Sequence, residues 1–307
     1  MDIKQLTALV TVAEVGSVTR AARVLHLVQP AVTRQIRLLE DEVGVPLFER
    51  TRQGMVPTEA GVRLVERARR ALSELERARA EIRPDPREVS GIVTVGVLES
   101  VMDLVVPPLV EVVRERHPGV ELRILTAYSG HLQQWLDDGS VDMSLLYNLT
   151  DTPSLAVVPL LEERLWAVAP PDGGLDPRRP VAWSRVARHP LVLPVAGHGL
   201  RALIDQARAG AGDPQIAVET NSMHLQKKLV LAGCGWSVLP AAGVAADVEA
   251  GTFSGAPLGR PSITRKVVLG LQRGVRPPRA VETVAGELTR LVRELVRTRA
   301  WPSSRPA

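Results

Sequence analysis

The sequence of 307 residues contains one cysteine, nine aromatic residues and no long run of apolar side chains. Cys234 alone can form neither a disulfide framework nor a metal site built from several cysteines. So few aromatic rings argue against a protein that binds single-stranded nucleic acid, because such proteins stack bases on rings. No segment approaches the roughly 18–20 apolar residues that span a bilayer, and Met1–Lys4 lack the features of a secretory signal. We therefore expect a cytoplasmic protein.

Sequence motifs typical of several enzyme classes are also absent. The chain has no G-x-G-x-x-G, no G-x-x-x-x-G-K-[ST], no H-E-x-x-H and no G-x-S-x-G segment. The six histidines are scattered singly, which makes surface or core roles more common than metal ligation. Cys234 lies between two glycines, where a small buried residue is favoured over a nucleophile. We predict a protein that is not an enzyme and that uses neither a metal nor a cofactor.

The apolar fraction of 45% is enough for a substantial core, and the length suits two domains or one large domain with an appendage. The net charge of +4 is unevenly distributed, with +2 over 1–90, −6 over 91–259 and +8 over 260–307. Because the basic excess lies at the C-terminal end, the total charge does not locate a DNA-binding surface.

The first 58 residues carry the pattern of three helices followed by a hairpin. The predicted segments are a helix that begins at Ile3 and ends before Gly16, a helix Val18–Leu25, a helix Gln29–Val43 with Gly44 as its C-cap, and a hairpin with arms at 48–50 and 54–57. A short helix, a three-residue turn and a longer helix beside a hairpin is the plan of a winged helix-turn-helix.

The predicted helix Gln29–Val43 has one apolar face and one face suited to DNA. The apolar side carries Val32, Ile36, Leu39 and Val43, at about 100° per residue. Arginine can bridge guanine O6 and N7, glutamine can bridge adenine N6 and N7, and threonine can contact a thymine methyl. A polar helix face is usually only solvated, but the tight turn before this helix favours DNA binding. The predicted DNA contacts are Gln29, Pro30, Thr33, Arg34 and Arg37, with Arg50 and Arg52 of the hairpin near phosphates.

A long polar helix follows, from Thr58 as N-cap to Arg83, and Pro84 and Pro86 close it. One seven-residue seam of this helix is apolar apart from Arg79, and it consists of Val65, Ala68, Leu72, Leu75 and Ile82. Either the helix packs on its own domain or the seam pairs with a second copy of the chain. The heptad spacing favours a coiled-coil dimer.

After these prolines the pattern changes to alternating strands and helices. Strands are predicted near 92–97, 120–125, 141–146, 165–169, 191–194, 216–219 and 267–271, with helices near 101–116, 132–136, 200–209, 223–232 and 280–297. Such alternation predicts a parallel sheet with helices on both faces. Ligands of such sheets bind beyond the carboxyl ends of the strands.

Ordered motifs in the first 61 residues closely resemble those of the LysR-type transcriptional regulators. They are Ala21-Ala22, Leu25-His26, the run from Gln29 to Ile36, Leu39-Glu40, the run from Gly44 to Arg50, and the run from Thr58 to Gly61. Weaker matches follow at 107–109, 117–120 and 232–240, and the segments 130–132, 145–147 and 199–201 are similar to the nitrogen-assimilation-control branch. The chain departs from the family at Val28, where a serine usually caps the recognition helix, at Thr33, where serine is commoner, and at Val18, where phenylalanine is common.

The resemblance implies a homodimer or homotetramer that binds double-stranded operator DNA and responds to a small-molecule effector. The implied α/β architecture has a winged helix-turn-helix domain at 1–58, a linker helix forming a coiled coil at 59–88, and an effector-binding domain at 89–300. That domain would have two Rossmann-like lobes like those of periplasmic binding proteins, lobe I at about 89–162 and 267–300 and lobe II at about 163–266. The alternative is a solute-binding protein whose N-terminal helices serve oligomerisation.

The effector site is predicted from the strand ends and from the resemblance. The predicted effector contacts are Ser100, Thr126, Ser129, Tyr147, Val195 and Asn221. Ser100 and Ser129 each open a predicted helix, and the free N–H groups there favour an anion such as a carboxylate. Simple helix capping explains both serines equally well. Val195 lies in a loop where the family often has serine, so this part of the pocket is expected to be more apolar or vacant.

Overall fold

The computed structural model describes residues 1–51, 54–82, 89–207, 214–273 and 277–307. The chain forms two compact units, Met1–Asp85 with Asp138–Ser140, and Pro86–Asp137 with Val141–Ala307. Arg52, the prolines at 84 and 86, and the predicted end of the linker at 88 lie outside the described residues. Within the described ranges, no helix is both long and apolar enough to cross a membrane.

Helices and one hairpin build the first unit. Its elements are α1 Ile3–Val15, α2 Val18–Val24, α3 Gln29–Val43, β1 Phe48–Thr51, β2 Gly54–Pro57 and α4 Glu59–Ile82. Asp2 and Ser17 cap α1 and α2 by accepting the N–H groups of Gln5 and Arg20. Val28 precedes α3 with extended backbone and makes no side-chain cap bond, which is the deficit expected from the sequence.

The core of the first unit lies between the inner faces of α1, α2, α3 and α4. From α3 it takes Val32, Ile36 and Leu39, which are all buried. Val43 was predicted on the same face but is 37% exposed, because it is the last residue of the helix and lies outside the core. One face of α3 is therefore fixed against the unit, and the opposite face stays open.

The first half of α4 belongs to this core as well. Thr58 caps the helix, since its Oγ1 accepts the N–H of Gly61 at 3.0 Å. Val65 and Ala68 are buried in the unit's own core, so these two residues of the predicted seam are not available to a partner helix. Leu72 is half-buried and Leu75 is 40% exposed. The side chain of Ile82 lies outside the described part of the structure.

The second unit alternates strands and helices. Its elements are β3 Ser90–Leu98, α5 Met102–Arg116, β4 Gly119–Ala127, α6 Ser129–Asp137, β5 Met143–Tyr147, β6 Leu155–Ala169, β7 Val181–Ala182, α7 Trp183–Val186, β8 Leu191–Leu193, α8 Gly199–Ala207, β9 Ile216–Glu219, α9 Met223–Leu231, β10 Trp236–Pro240, α10 Ala245–Glu249, β11 Ser254–Arg260, β12 Thr264–Gln272, α11 Arg279–Arg297 and β13 Ser304–Pro306. Short 3₁₀ turns lie at Glu99–Val101, Pro171–Gly173 and Ala241–Gly243.

The sheet of this unit is mixed, which corrects the prediction of a parallel sheet. Its main strand order is β4-β3-β5-β12-β6-β10-β8-β9. The strand β3 is parallel to β4 and β5, whereas β12 is antiparallel to β5 and β6, and β10 is antiparallel to β6. The chain between β11 and β12 is only three residues long. Both strands run antiparallel to β6, β11 along its end and β12 along the rest, so the chain returns against β6 without a crossover helix.

The strand β6 is shared by two lobes. It pairs with β12 as far as Arg164 and with β10 from Leu165 onwards. Lobe I contains β3, β4, β5, β12, α5, α6 and α11 around one apolar core, and lobe II contains β7 to β11 and α7 to α10 around others. The predicted two-lobed α/β architecture is confirmed.

Candidate nucleic-acid interface and ligand cleft

The open face of α3 carries the predicted DNA contacts. Gln29, Pro30, Arg34 and Arg37 are exposed, and Thr33 is half-buried with its Oγ1 donating to the backbone oxygen of Gln29 at 3.1 Å. Within the described parts of the chain, neither Arg34 nor Arg37 forms an ion pair. The donors of both guanidinium groups are therefore not used in ion pairs with the described residues and are available to a further partner.

Two sets of contacts hold the hairpin against the helices. Glu40 of α3 accepts the N–H groups of Leu47 and Phe48 at 2.8 and 3.3 Å, which ties the end of α3 to the start of β1. Met55 of β2 donates its N–H to the backbone oxygen of Gly16 at 2.9 Å. Gly54 has φ +123° and approaches Gly16 so closely that a Cβ would collide with its oxygen.

Arg50 lies exposed on β1, opposite Met55 in the hairpin. Arg52, the other arginine predicted near phosphates, lies outside the described residues. The exposed cation of β1 and those of α3 thus belong to two elements that Glu40 and the core keep together. An exposed, basic helix face with a rigidly attached hairpin can follow a groove and its phosphates.

A cleft that is open to solvent lies between the two lobes of the second unit. Of the predicted effector contacts, Ser100, Tyr147 and Asn221 line it. Thr126 and Val195 do not: Thr126 is exposed on the edge strand β4, and Val195 is exposed in the loop after β8. Ser129 is the first residue of α6, and its Oγ accepts the N–H of Tyr147 at 3.1 Å.

The floor of the cleft is a buried polar network around Arg265. Arg265 forms an ion pair with Glu163, and both side chains are almost completely buried. Its Nη2 also donates to Ser100 Oγ at 3.0 Å, and its Cζ lies 3.5 Å from the ring centre of Tyr147. Trp301 Nε1 donates to the second oxygen of Glu163 at 2.9 Å.

The same network determines the hydrogen bonding of Ser100 and the protonation state of Tyr147. Their hydroxyl groups are hydrogen-bonded to each other. Burial raises the pKa of Tyr147 far above its ordinary value of 10.0, although Arg265 opposes this, so the phenol stays protonated at neutral pH. Ser100 lies within the 3₁₀ turn before α5, and its Oγ is used inside the network. The helix α5 begins two residues later, at Met102, and Ser100 does not cap it.

Lobe II faces this floor with the N-terminus of α9. Glu99 of lobe I accepts the N–H groups of Met223 and His224, both at 3.1 Å, through its two carboxylate oxygens. Ser222 is the N-cap and accepts the N–H of Leu225 at 3.3 Å. One carboxylate thus bridges from lobe I to the helix of lobe II.

Two further polar side chains line the cleft on this side. Gln226 is 3% exposed, and its Nε2 has no hydrogen-bond partner among the described residues. His198 Nδ1 accepts the N–H of Leu200 at 3.1 Å. Burial, followed by the charge of Arg265, lowers the pKa of His198, so the ring is neutral at pH 7 with its proton on Nε2.

Glu163, Arg265, Glu99, His198 and Gln226 were not among the predicted site residues. Glu163 and Arg265 lie on β6 and β12, whose antiparallel pairing brings them together from positions 102 residues apart. No sequence signal singled them out, since Glu163 lies between Glu162 and Arg164 and Arg265 is followed by Lys266. Within the described residues, no group of three or more His, Cys, Asp or Glu side chains is placed to hold a metal ion.

Comparisons with known proteins agree with both halves of this description. The model of bacterial regulatory helix-turn-helix proteins of the lysR family matches residues 3–62, and the model of the LysR substrate binding domain matches residues 86–293. The transcriptional regulator BbuR of Bordetella bronchiseptica is 30% identical over 303 residues, which cover 98% of this chain and 93% of BbuR.

The nitrogen assimilation regulatory protein nac of Klebsiella aerogenes is 30% identical over 286 residues, covering 91% of this chain and 92% of nac. A full-length OxyR variant from Pseudomonas aeruginosa has the same fold, with a TM-score of 0.71 and 23% identity over 95% of each chain. Because the identity to nac equals that to BbuR, these matches do not single out the nitrogen-assimilation branch.

Proposed function

Because the chain belongs to the LysR family of DNA-binding transcriptional regulators, we propose that α3 and the hairpin read its operator and that a small effector binds in the cleft. The observation that carries the first part is the face of α3: its arginines are exposed and unpaired within the described chain, while its opposite face is buried. If these helices served only to oligomerise a solute-binding protein, this face would not need unpaired arginines.

Each proposed contact has a distinct role on DNA. Arg34, Arg37 and Gln29 can reach base edges in the major groove, and Thr33 and Pro30 supply apolar or hydroxyl contacts at the start of the helix. Arg50, together with Arg52 of the hairpin, would contact phosphates and so add affinity without reading sequence. The role of the chain is binding rather than catalysis, and we place it with its DNA in the cytoplasm.

We infer that two copies act together through α4. The exposed part of its apolar seam begins at Leu72 and Leu75, because Val65 and Ala68 already belong to the core of their own unit. An exposed apolar stripe on an otherwise charged helix is stabilised by pairing with a second helix. Pairing would place two copies of α3 on one operator as a homodimer, or a homotetramer if dimers associate.

The effector would act by shifting a population. A ligand changes the equilibrium between two arrangements only if it binds one of them more tightly than the other. Glu99, which crosses from lobe I to α9 of lobe II, is a contact that depends on the distance between the lobes. A ligand in the cleft that favours one lobe spacing could therefore change the arrangement of the paired units and their affinity for DNA.

The test is the affinity of the Arg34→Ala variant for a DNA fragment selected by the wild-type protein. Loss of a base contact should weaken binding about 5- to 100-fold and leave sedimentation unchanged. The matched control is Arg123→Ala, which removes an exposed arginine of β4 that pairs with Glu121. Equal affinities of the two variants would remove Arg34 from the recognition surface.

A further inference from the structure

The N-terminus of α9 is one part of the cleft where an anion would be expected, because helix N-termini present unpaired N–H groups and a positive dipole end. In this chain these groups already have partners. The first two N–H groups, of Met223 and His224, are taken by the carboxylate of Glu99, and the third, of Leu225, is taken by Ser222 Oγ. An external carboxylate could bind there only by displacing Glu99.

The charges that line the cleft lead to the same conclusion. Arg265 is the one cationic side chain among the described lining residues, and its charge is neutralised by the buried carboxylate of Glu163. The carboxylate of Glu99 remains as a negative charge at the N-terminus of α9. A second anion would therefore meet repulsion from Glu99 with no free cation beside it to compensate.

Two hydrogen-bond donors that line the cleft remain available. Gln226 lines the cleft and has a buried amide nitrogen without a partner among the described residues, which is an unfavourable state unless a ligand atom or a water accepts from it. His198 uses Nδ1 for the N–H of Leu200, which leaves its Nε2–H as a further donor. The cleft is thus built to receive a carbonyl, hydroxyl or other neutral acceptor.

We propose that the carboxylate of Glu99 is an internal occupant of the anion-binding end of the cleft, and that the ligand of this cleft carries no anionic group where it meets α9. The ligand class is a small molecule that meets α9 with an uncharged or cationic group and carries a hydrogen-bond acceptor for Gln226. The proposal rests on the proposed function only where it calls this ligand the effector. It differs in place from the anion expected from the sequence, which was assigned to the helix starts at Ser100 and Ser129.

Chemical rescue of Glu99→Ala in the full chain tests the internal occupancy. Removal of the carboxylate frees two N–H groups of α9, so the unfolding temperature of the variant should fall by about 3–6 °C. Acetate should restore at least half of that loss, because it supplies the missing carboxylate. Sodium chloride and acetamide at the same concentration should not. Wild-type protein and Glu121→Ala, which removes an exposed glutamate of β4, give the general effect of acetate on the chain.

Three results would overturn the proposal. Acetate could raise the unfolding temperature of Glu99→Ala no more than that of Glu121→Ala. It could stabilise the wild type as much as Glu99→Ala, which would mean that an anion site is open beside Glu99. Acetamide could rescue as well as acetate, which would mean that the vacated space has no preference for charge.

The proposal can still be tested if Glu99→Ala does not fold in buffer without acetate. Glu99→Ala would then be refolded with acetate or with chloride, and only acetate should recover folded protein; equal recovery contradicts the proposal. Glu99→Gln fills the vacated space with a neutral amide, so it should be destabilised without responding to acetate. These readouts do not involve DNA, so a failure of operator binding and a failure of this inference are distinguishable.

Discussion

At the scale of single residues, burial decides what a charge does in this molecule. Arg265 and Glu163 are 2% and 1% exposed and satisfy each other together with Ser100 and Trp301. Glu121 and Arg123 on β4 form a pair of the same chemical type that is more than half exposed. A surface pair of this kind contributes about 0–1 kcal/mol. The buried pair instead fixes the floor of the cleft, because neither member can lose its partner cheaply.

Glu163→Gln should therefore destabilise the protein strongly. The change leaves the guanidinium of Arg265 buried without a counter-charge, which costs about 3–5 kcal/mol. Urea unfolding of the full chain measures the change in the free energy of unfolding, and Glu121→Gln is the matched control, expected to cost about 1 kcal/mol or less. Similar losses in the two variants would contradict the role given to the buried pair.

At the scale of elements, the helices could be predicted from local sequence patterns. The strand directions in the sheet could not, because they depend on pairing between distant parts of the chain. The bounds of α3 were predicted because apolar spacing and Gly44 are local signals. The sheet was predicted as parallel because strands and helices alternate along the chain, and the antiparallel returns through β6 and β12 depend on partners far away in sequence. The contact between Arg265 and Glu163 was not predicted for the same reason, because it also joins strands that are far apart in sequence. The short strands β7, β11 and β13 have two to seven residues and carry no periodic signal.

The unoccupied cap of α3 gives a prediction at this scale. Val28 has the extended backbone of an N-cap residue but no oxygen to accept an N–H group. Val28→Ser should stabilise the first turn of α3 by about 1 kcal/mol, which slows hydrogen exchange of its first amides roughly fivefold. Val28→Ala is the control, because it removes the exposed valine without adding an acceptor. Equal exchange rates in both variants would show that the missing cap costs nothing.

The exposed end of the apolar seam of α4 gives a second prediction at this scale. Leu75→Glu places a charge on the proposed helix pair and should raise the dissociation constant of the dimer at least about tenfold. Sedimentation over a range of protein concentrations measures this constant. Leu125→Glu, which changes a leucine of β4 with nearly the same exposure, should leave it unaltered. A dimer that survives Leu75→Glu would place the interface elsewhere than on this seam.

At the scale of the whole molecule, the chain combines a DNA-reading unit with a ligand-binding unit, as its family does. The residues themselves predicted the helix α3 and its proposed role on DNA, because its two faces differ in chemistry over a single element. The two-lobed ligand unit was predicted from the resemblance, since strand patterns alone do not specify how two lobes share one strand. Three predicted residues, Ser100, Tyr147 and Asn221, do line the cleft. The contact between Glu99 and α9 could not be predicted, because it joins positions 124 residues apart.

The most direct test is binding of the purified full-length protein to labelled DNA from upstream of its own and neighbouring genes, measured by fluorescence anisotropy. The salt concentration should be near physiological and nonspecific competitor DNA in excess, because affinity at low salt reports mainly phosphate contacts. We expect saturable binding to at least one fragment that survives the competitor. Binding that the competitor removes from every fragment, with and without candidate ligands, would contradict a sequence-specific regulator.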